Sequence, residues 1–347
     1  MDKAIPNGMW HLRCGDASIL LHRRTWLMTL AVLLAVLVLS VLSVSLGSSK
    51  MGITDVLATL SGNGSKLHGI MIYKIRLPRV AGVLVAGLAM GMSGCLIQTL
   101  VRNRLATPDM VGVNEGAALA VIIFALYLTF GSWPWWAAPL GAMFAAAALF
   151  ILCRRPGEQG YLFIIIGIAI SQLFSAFGEF AMSTQPLTHL GSIYLWTMGH
   201  FAGGSYQTIY PVTLILLALC PVMALLNRPL ALLRFGGATA RNLGLNVTLV
   251  QLGILALAIL VAALGTAIGG PVIFVAMAAP ILASWLTRDN LAPIWLAALC
   301  GAMMLLGSDI LVRLLAQPEE IPTGIMTRIL GGILLLFLLL KDRQWSD

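Results

Sequence analysis

The sequence predicts an all-α fold, a polytopic membrane helix bundle of about ten transmembrane helices, on three observations. Of the 347 residues, 59% are hydrophobic and only 10% are charged, whereas a soluble domain carries roughly 25% charged residues. The mean hydropathy of +0.95 is too high for a soluble body with one anchor of ~20 residues. The apolar residues also form continuous runs, unlike the alternating strands of a lipid-exposed β-barrel.

Ten apolar segments, separated by charges, prolines and glycine clusters, define the predicted helices. They lie at about residues 25–46, 80–101, 110–130, 135–153, 161–183, 206–226, 247–269, 272–287, 293–312 and 322–340. Only helices satisfy the backbone hydrogen bonds of such segments within lipid. We therefore expect a cytoplasmic N-terminal segment at 1–24, a transmembrane domain at 25–340 and a cytoplasmic tail at 341–347.

The distribution of lysine and arginine predicts the orientation of the bundle. With the N-terminus inside, fourteen of the 21 Lys and Arg residues fall in cytoplasmic loops or termini, and such an excess is typical of the cytoplasmic side. Because the number of segments is even, both termini are expected on that side. The net charge of +8 therefore reflects membrane topology and gives no indication of nucleic-acid binding.

Three arginines are exceptions to this excess, because they lie at the outer ends of predicted helices. Arg76 and Arg79 precede the second helix, and Arg313 lies at the end of the ninth. Basic side chains in such positions are candidates for contact with an acidic partner outside the membrane. Asp309 stands four residues before Arg313 and could pair with it along one helix face, an interaction of modest value at an interface.

The fifth apolar segment carries polar residues at helical spacing, so that they share one face. They are Ser171, Gln172, Ser175, Gly178 and Glu179. An ionisable side chain within a span is by default a candidate for a transport pathway. A second interpretation places Glu179 near the outer interface, where water and polar neighbours stabilise it. The sequence leaves both interpretations open.

Two further patterns are expected to serve packing and capping. Gly87 with Gly91 and Gly265 with Gly269 form GxxxG pairs, which allow close approach of helices in lipid. We expect these contacts within the chain rather than between two copies. Asp109 stands just before the third segment, where a carboxylate is favoured as a helix cap.

Motifs of enzymes and nucleotide-binding proteins are absent from the sequence. It contains no HExxH metal motif, no GxSxG nucleophile turn and no GxxxxGK[ST] phosphate-binding loop. The five widely spaced cysteines give neither a CxxC metal site nor a disulfide framework. We expect no catalytic, cofactor or metal site in this chain, and if ATP drives transport, another chain must bind it.

A long series of motifs begins at the outer arginines and extends through the chain. It includes Arg76-Leu77-Pro78-Arg79, Ala86-Gly87-Leu88-Ala89-Met90-Gly91, Arg102-Asn103, Pro108-Asp109, Gly112-Val113-Asn114, Ala240-Arg241-Asn242-Leu243-Gly244, Gly270-Pro271 and Ile321-Pro322-Thr323-Gly324. This pattern resembles the FecCD-type permeases of bacterial ABC importers for iron-siderophores, heme and cobalamin. The resemblance covers nearly the whole chain, and the ten-helix architecture of those type II importer permeases agrees with the ten segments.

The resemblance implies a permease subunit of a binding-protein-dependent ABC importer in the bacterial inner membrane. Such a subunit pairs with a second permease, identical or different, and with two ATPase subunits that bind ATP inside. A periplasmic binding protein delivers the substrate, expected here to be an iron-siderophore, with heme and cobalamin as alternatives. A transporter driven by an ion gradient, with Glu115 and Glu179 as coupling sites, is the alternative of a different class.

The resemblance also assigns roles to particular residues. Arg76, Arg79 and Arg313 match the seat for acidic residues of the binding protein. Residues 228–246 match the cytoplasmic loop that couples the permease to the ATPase, through Gly236, Ala240, Arg241, Leu243 and Gly244. At Gly237 the sequence departs from the family, which usually has an acidic residue there. We expect the pathway along the interface between the two permeases to be lined by Gln172, Ser175 and Glu179.

Overall fold

The computed structural model describes residues 9–14, 17–46, 53–62, 64–129, 132–152, 160–288, 293–315 and 321–341. Its α-helices, in chain order, are α1 (Arg23–Ser45), α2 (Ile53–Leu60), α3 (Lys66–Ile70), α4 (Leu77–Val101), α5 (Val113–Ile123), α6 (Ala137–Leu152), α7 (Gly160–Ser183), α8 (Leu187–Thr197), α9 (Tyr206–Leu225), α10 (Asn227–Arg234), α11 (Gly237–Asn242), α12 (Val247–Gly269), α13 (Ile273–Thr287), α14 (Ile294–Leu315) and α15 (Thr323–Lys341). The predicted helical membrane bundle is confirmed.

Within these described ranges, ten helices correspond to the ten predicted segments. Six of them are long and apolar enough to cross a membrane, and four are shorter apolar helices. One of the shorter four is α5, which continues through a π-helical stretch, Phe124–Leu128. Their apolar residues occupy all sides rather than one stripe, because both lipid and neighbouring helices present apolar surroundings.

The second predicted segment is the inner part of a much longer helix. α3, a π-helical stretch at Met71–Arg76 and α4 form one 36-residue helical run, Lys66–Val101. At 1.5 Å per residue this run is about 54 Å long, whereas the hydrocarbon core of a bilayer is about 30 Å thick. Its first turns, with Lys66 and Lys74 exposed, therefore extend beyond the hydrocarbon. The prediction began at residue 80 because charges interrupt the apolar run there, although they do not interrupt the helix.

A β-hairpin precedes the bundle and was not predicted. Met9–Cys14 (β1) and Ala17–His22 (β2) pair antiparallel, with Met9 opposite His22 and Cys14 opposite Ala17. β2 leads directly into α1. A two-stranded hairpin is marginal by itself in water, and the polar composition of residues 1–24 gave no strand signal. The hairpin changes the description of that segment and leaves the membrane domain as predicted.

α4 forms the centre of the bundle and packs against α12, α13 and α14. A Cβ added to Gly87 would lie 2.6 Å from Cα of Ala302, and one added to Gly91 would lie 2.9 Å from Cα of Ala298. Neither position has room for a side chain, so both glycines allow close helix packing within the chain, as predicted. Gly265 of the second pair likewise faces α4.

Contacts between helix ends agree with a chain that crosses the bundle back and forth. At the end where α1 begins, Arg24 Nε donates to the Leu286 carbonyl at 2.9 Å, and Arg102 Nη2 donates to the Leu233 carbonyl. At the opposite end, Arg313 contacts the last turn of α1. Following the predicted orientation, we call the first the inner end and the second the outer end.

Candidate functional site

A buried group of charged side chains lies at the outer end, and we call Arg76, Arg79, Asp309 and Arg313 the outer arginine cluster. Asp309 is fully buried at its centre. Its Oδ1 lies 3.0 Å from Nε and 2.9 Å from Nη2 of Arg79, and its Oδ2 lies 2.9 Å from Nη2 of Arg313. Thr323 Oγ1 donates to Oδ1 at 3.1 Å. One carboxylate thus connects α4, α14 and α15.

Backbone carbonyls at the end of α1 complete the surroundings of the cluster. Arg76 Nη1 donates to the carbonyls of Val44 at 2.7 Å and Ser45 at 2.9 Å. Arg313 Nη1 donates to the carbonyls of Ser43 at 2.7 Å and Leu46 at 2.9 Å. The sequence predicts the three arginines at one end of the molecule, but it carries no signal for their contacts with α1.

The burial of the cluster bears on its predicted docking role. Arg76 is 6% exposed and Arg79 is 9% exposed, and the side chain of Arg313 is 11% exposed. The predicted pair of Asp309 and Arg313 along one helix face is confirmed, but it belongs to a buried network rather than to an interface. Direct docking through these arginines stays a prediction, and in this conformation their side chains point into the chain.

At the inner end, α10 and α11 form the connection that contains the predicted coupling loop. α10 is held by Leu230 and Leu233, which are both buried, and by the hydrogen bond from Arg102 to the Leu233 carbonyl. Phe235 follows α10 and is 72% exposed. It is a large apolar side chain in the predicted coupling loop, and no sequence motif pointed to it.

The end of α11 is a Schellman turn that the local sequence explains. Gly244 N–H donates to the Arg241 carbonyl and Leu245 N–H donates to the Ala240 carbonyl, both at 3.0 Å. Gly244 has φ of 86°, a left-handed conformation that glycine adopts without a Cβ clash. The side chain of Asn246 then caps α12 by accepting from the Leu249 N–H at 3.2 Å.

The residues predicted for coupling divide into structural and surface positions. Ala240 is fully buried and anchors α11, whereas Leu243 is 60% exposed. Arg241 is also exposed, and Gly236, with φ of 103°, sets the entry to α11. Phe235 directly after α10 and Leu243 directly after α11 are therefore both large, exposed apolar side chains of this connection.

The predicted polar face of α7 likewise contains both exposed residues and residues packed against other helices. Gln172 and Glu179 are exposed, and Ser175 is half-buried, with its Oγ donating to Glu179 Oε1 at 3.3 Å. Gly178 instead faces α5, since a Cβ there would lie 3.1 Å from Ile122. Ser171 is half-buried like Ser175 and its Oγ donates to the Gly167 carbonyl at 2.9 Å, so Gly178 is the only one of the five residues that is buried.

Large apolar side chains surround the accessible polar residues of α7. Leu173 is 53% exposed, Phe177 is 55% exposed and Phe180 is 69% exposed. A helix face that mixes such residues with Gln172 and Glu179 matches neither a pure lipid contact nor a closed core. It fits a surface that a second subunit covers in part.

A second group of charges lies beside this face. Asp109 does not cap α5 as predicted; its Oδ1 accepts from Asn114 Nδ2 at 2.9 Å. Glu115 of α5 is half-buried and interacts electrostatically with Glu179, Asp109 and Arg328. Arg328 lies exposed on α15. In the sequence, Arg328 stands out only as a single basic residue inside an apolar span. Its position near Glu115 results from tertiary packing, which the sequence does not show.

Comparison with known proteins gives a consistent result over nearly the whole chain. The model of the FecCD transport family matches residues 33–341. The chain is 31% identical over 330 residues to the ferric enterobactin transport system permease protein FepG of Escherichia coli (strain K12), with 94% of this chain and 99% of that protein covered. It is 32% identical over 324 residues to the vitamin B12 import system permease protein BtuC of Klebsiella pneumoniae subsp. pneumoniae, with 92% and 95% covered.

A solved structure shares the fold. It is described as an inward-facing conformation of a metal-chelate type ABC transporter and superposes with a TM-score of 0.78, at 23% sequence identity. The match covers 91% of this chain and 99% of that chain. At that level of identity the comparison establishes the arrangement of the helices.

Proposed function

The chain belongs to the FecCD transport family, and from that premise we propose that it is the permease subunit of a binding-protein-dependent ABC importer for an iron chelate. An iron-siderophore is the substrate that the relatives favour, because the ferric enterobactin permease aligns over 99% of its own length. This full-length alignment carries the proposal. Iron is the cargo here, and the chain itself supplies only the conduit.

The proposed partners follow from what a conduit of this family requires. A second permease subunit, the same or a different chain, would cover the exposed face of α7. Two ATPase subunits would bind ATP at the inner end, and a periplasmic binding protein would dock at the outer end. This orientation places both termini in the cytoplasm and the bundle in the bacterial inner membrane, in agreement with the excess of Lys and Arg on that side.

We propose α10 and α11 as the element that receives the conformational change of the ATPase. The exposed side chains of Phe235 and Leu243 would enter an apolar recess on that subunit, with Arg241 at the rim. Gly236, Ala240 and Gly244 would fix the shape of the contact. Gly237 carries no side chain where the family usually has an acid, so this contact would depend on apolar burial more than on ion pairs.

The pathway is proposed along the exposed face of α7. Gln172, Ser175 and Glu179 offer hydrogen-bonding groups among large apolar side chains, which suits passage of a bulky chelate with a polar rim. The exposed state of this face in the single chain supports an interface position. Nothing covalent happens to the substrate in this scheme.

The docking role of the outer arginines is proposed as an electrostatic one. Three of the four charged side chains of the cluster are cationic, so the cluster carries a net positive charge that would attract acidic lobes of a binding protein. Replacing Arg76 with Gln is expected to weaken docking more at low salt than at high salt. Equal losses at all salt concentrations would contradict a role through charge.

Cobalamin and heme are the two alternative substrates for an importer of this kind. The vitamin B12 permease is 32% identical to the chain, which supports cobalamin as a candidate substrate, and heme is the other candidate that the sequence suggests. The experiment is a deletion of the chain in its bacterium, with uptake of ⁵⁵Fe-siderophore, labelled heme and labelled cobalamin measured in parallel. Loss of siderophore uptake alone, restored by the plasmid-borne chain, is expected; unchanged uptake of all three would contradict the proposal.

A further inference from the structure

α1 ends with backbone carbonyls that its own helix does not satisfy. The last hydrogen bond of this helix joins the Leu46 N–H to the Leu42 carbonyl at 2.8 Å. The carbonyls of Ser43, Val44, Ser45 and Leu46 therefore have no amide partner within the helix. Close to hydrocarbon, where water is scarce, such carbonyls need donors from other parts of the protein.

Two arginines that are distant in sequence donate to all four of these carbonyls. Arg76 bonds to Val44 and Ser45, and Arg313 bonds to Ser43 and Leu46. A planar guanidinium with several N–H groups can bridge two carbonyls at once, which an ammonium group does less well. The negative end of the helix dipole also favours cations at this position.

We propose that Arg76 and Arg313 form a distributed C-terminal cap that fixes the outer end of α1. Asp309 compensates part of the buried positive charge by pairing with Arg79 and Arg313. The cap thus joins α1, α4 and α14 at one point.

α1 lies at the periphery of the bundle, so contacts at its two ends add to its packing against one main neighbour. Its side chains are largely turned outward, as Leu30 at 63% and Leu34 at 62% exposure illustrate, and it packs mainly against α14. At the inner end, Arg24 binds the Leu286 carbonyl. Contacts from arginine to backbone carbonyls therefore hold the helix at both ends.

The cap explains why a direct contact of Arg313 with a partner would disturb the fold. Its Nε contacts the Asp309 carbonyl at 3.4 Å, and its Nη2 contacts the Asp309 carboxylate and Ser43 Oγ. All three nitrogens are engaged within the chain. A partner carboxylate could bind Arg313 only by releasing the end of α1, so the residue acts on the outer surface by positioning it.

The test measures how accessible the end of α1 is. Leu46→Cys is introduced into the full-length chain, and its rate of reaction with a membrane-impermeant maleimide is followed on spheroplasts. Adding Arg313→Gln or Arg76→Gln is expected to raise that rate severalfold, because the helix end loosens. The matched control is Arg328→Gln, an exposed arginine of α15, which should leave the rate unchanged. Unchanged rates in both cap variants, or an equal increase in the control, would overturn the proposal.

Two further variants separate the cap from the ion pair. Arg313→Lys keeps the positive charge but lacks the planar fork, so faster labelling than in the parent is expected, whereas a parental rate would overturn the cap. The exchange Asp309→Arg with Arg313→Asp restores opposite charges but moves the guanidinium one turn along α14. Labelling should stay fast in the exchanged protein, and recovery of the parental rate would show that the ion pair alone suffices. The assay needs no binding protein, so its result is independent of the importer proposal.

Discussion

Asp309 is the acidic member of the outer arginine cluster, and its environment differs from the one expected of a pair at an interface. The side chain is fully buried and receives Arg79, Arg313 and Thr323 from three helices. In such surroundings the removal of one partner leaves an uncompensated buried charge, which destabilises far more than the loss of an exposed pair.

Asp309→Asn is expected to lower stability strongly, because Arg79 and Arg313 lose their counter-charge. Breaking a buried ion pair costs about 3–5 kcal/mol, and the measurement is thermal unfolding of the purified chain in detergent. Thr323→Val is the matched control, since it removes one hydrogen bond to the same carboxylate but no charge, a loss of about 1.5–3 kcal/mol. Equal melting temperatures for the two variants would contradict the central role of the carboxylate charge.

Gly244 offers a second test at a single position. Its φ of 86° disfavours a β-branched side chain, with a strain of about 1–2 kcal/mol, while an added Cβ would meet no atom within 4 Å. Gly244→Val is therefore expected to distort the α11 turn, leaving ATP hydrolysis active and transport reduced in the assembled importer. Asn tolerates this conformation, so Gly244→Asn should transport nearly normally. Coupled uptake by the Val variant would exclude this turn from coupling.

The helices themselves were largely predictable, since ten continuous apolar runs leave no alternative to membrane helices. The elements that could not be predicted from the sequence have physical explanations. The hairpin at β1 and β2 lies in a polar segment without strong strand alternation, and α8 lies in a stretch too short for a span. Helix Lys66–Val101 continues through charged turns because helix geometry does not require apolar residues outside the hydrocarbon.

The contact between α4 and α14 allows a test of helix packing. Gly91→Leu is expected to prevent close approach, because a Cβ there would lie 2.9 Å from Cα of Ala298 and overpacking costs about 1–3 kcal/mol or more. Gly307→Leu on α14 is the control, since nothing lies within 4 Å of its Cβ position. Membrane yield and melting temperature should fall for the first variant alone. Equal behaviour of both would contradict the packing described here.

The residues of the candidate sites could be named from the sequence, but the directions in which their side chains point could not. Motifs pointed to the outer arginines and the α10–α11 connection, and helical spacing of polar residues pointed to the face of α7. The direction in which each side chain points depends on partners far away in sequence, such as the Ser43 carbonyl for Arg313 and Ile122 for Gly178. A single sequence carries no signal for such contacts.

Assembly determines what covers the exposed face of α7. Ser175→Cys is expected to react with aqueous reagents in at least one nucleotide state of the complete importer, because this position would line the pathway. Phe174→Cys is the control: Phe174 is 8% exposed in the single chain and should stay protected throughout. Protection of Ser175→Cys in every nucleotide state would remove α7 from the pathway.

The energy source is the property of the whole molecule on which the proposed function depends. The most direct measurement reconstitutes the chain in liposomes, either alone with an imposed proton or sodium gradient, or with its permease partner, the ATPase and a loaded binding protein. We expect the iron chelate to accumulate only in the second preparation and only with ATP. Accumulation by the chain alone, driven by the ion gradient, would contradict the proposed function and favour a gradient-driven transporter, with Glu115 and Glu179 as the candidate coupling sites.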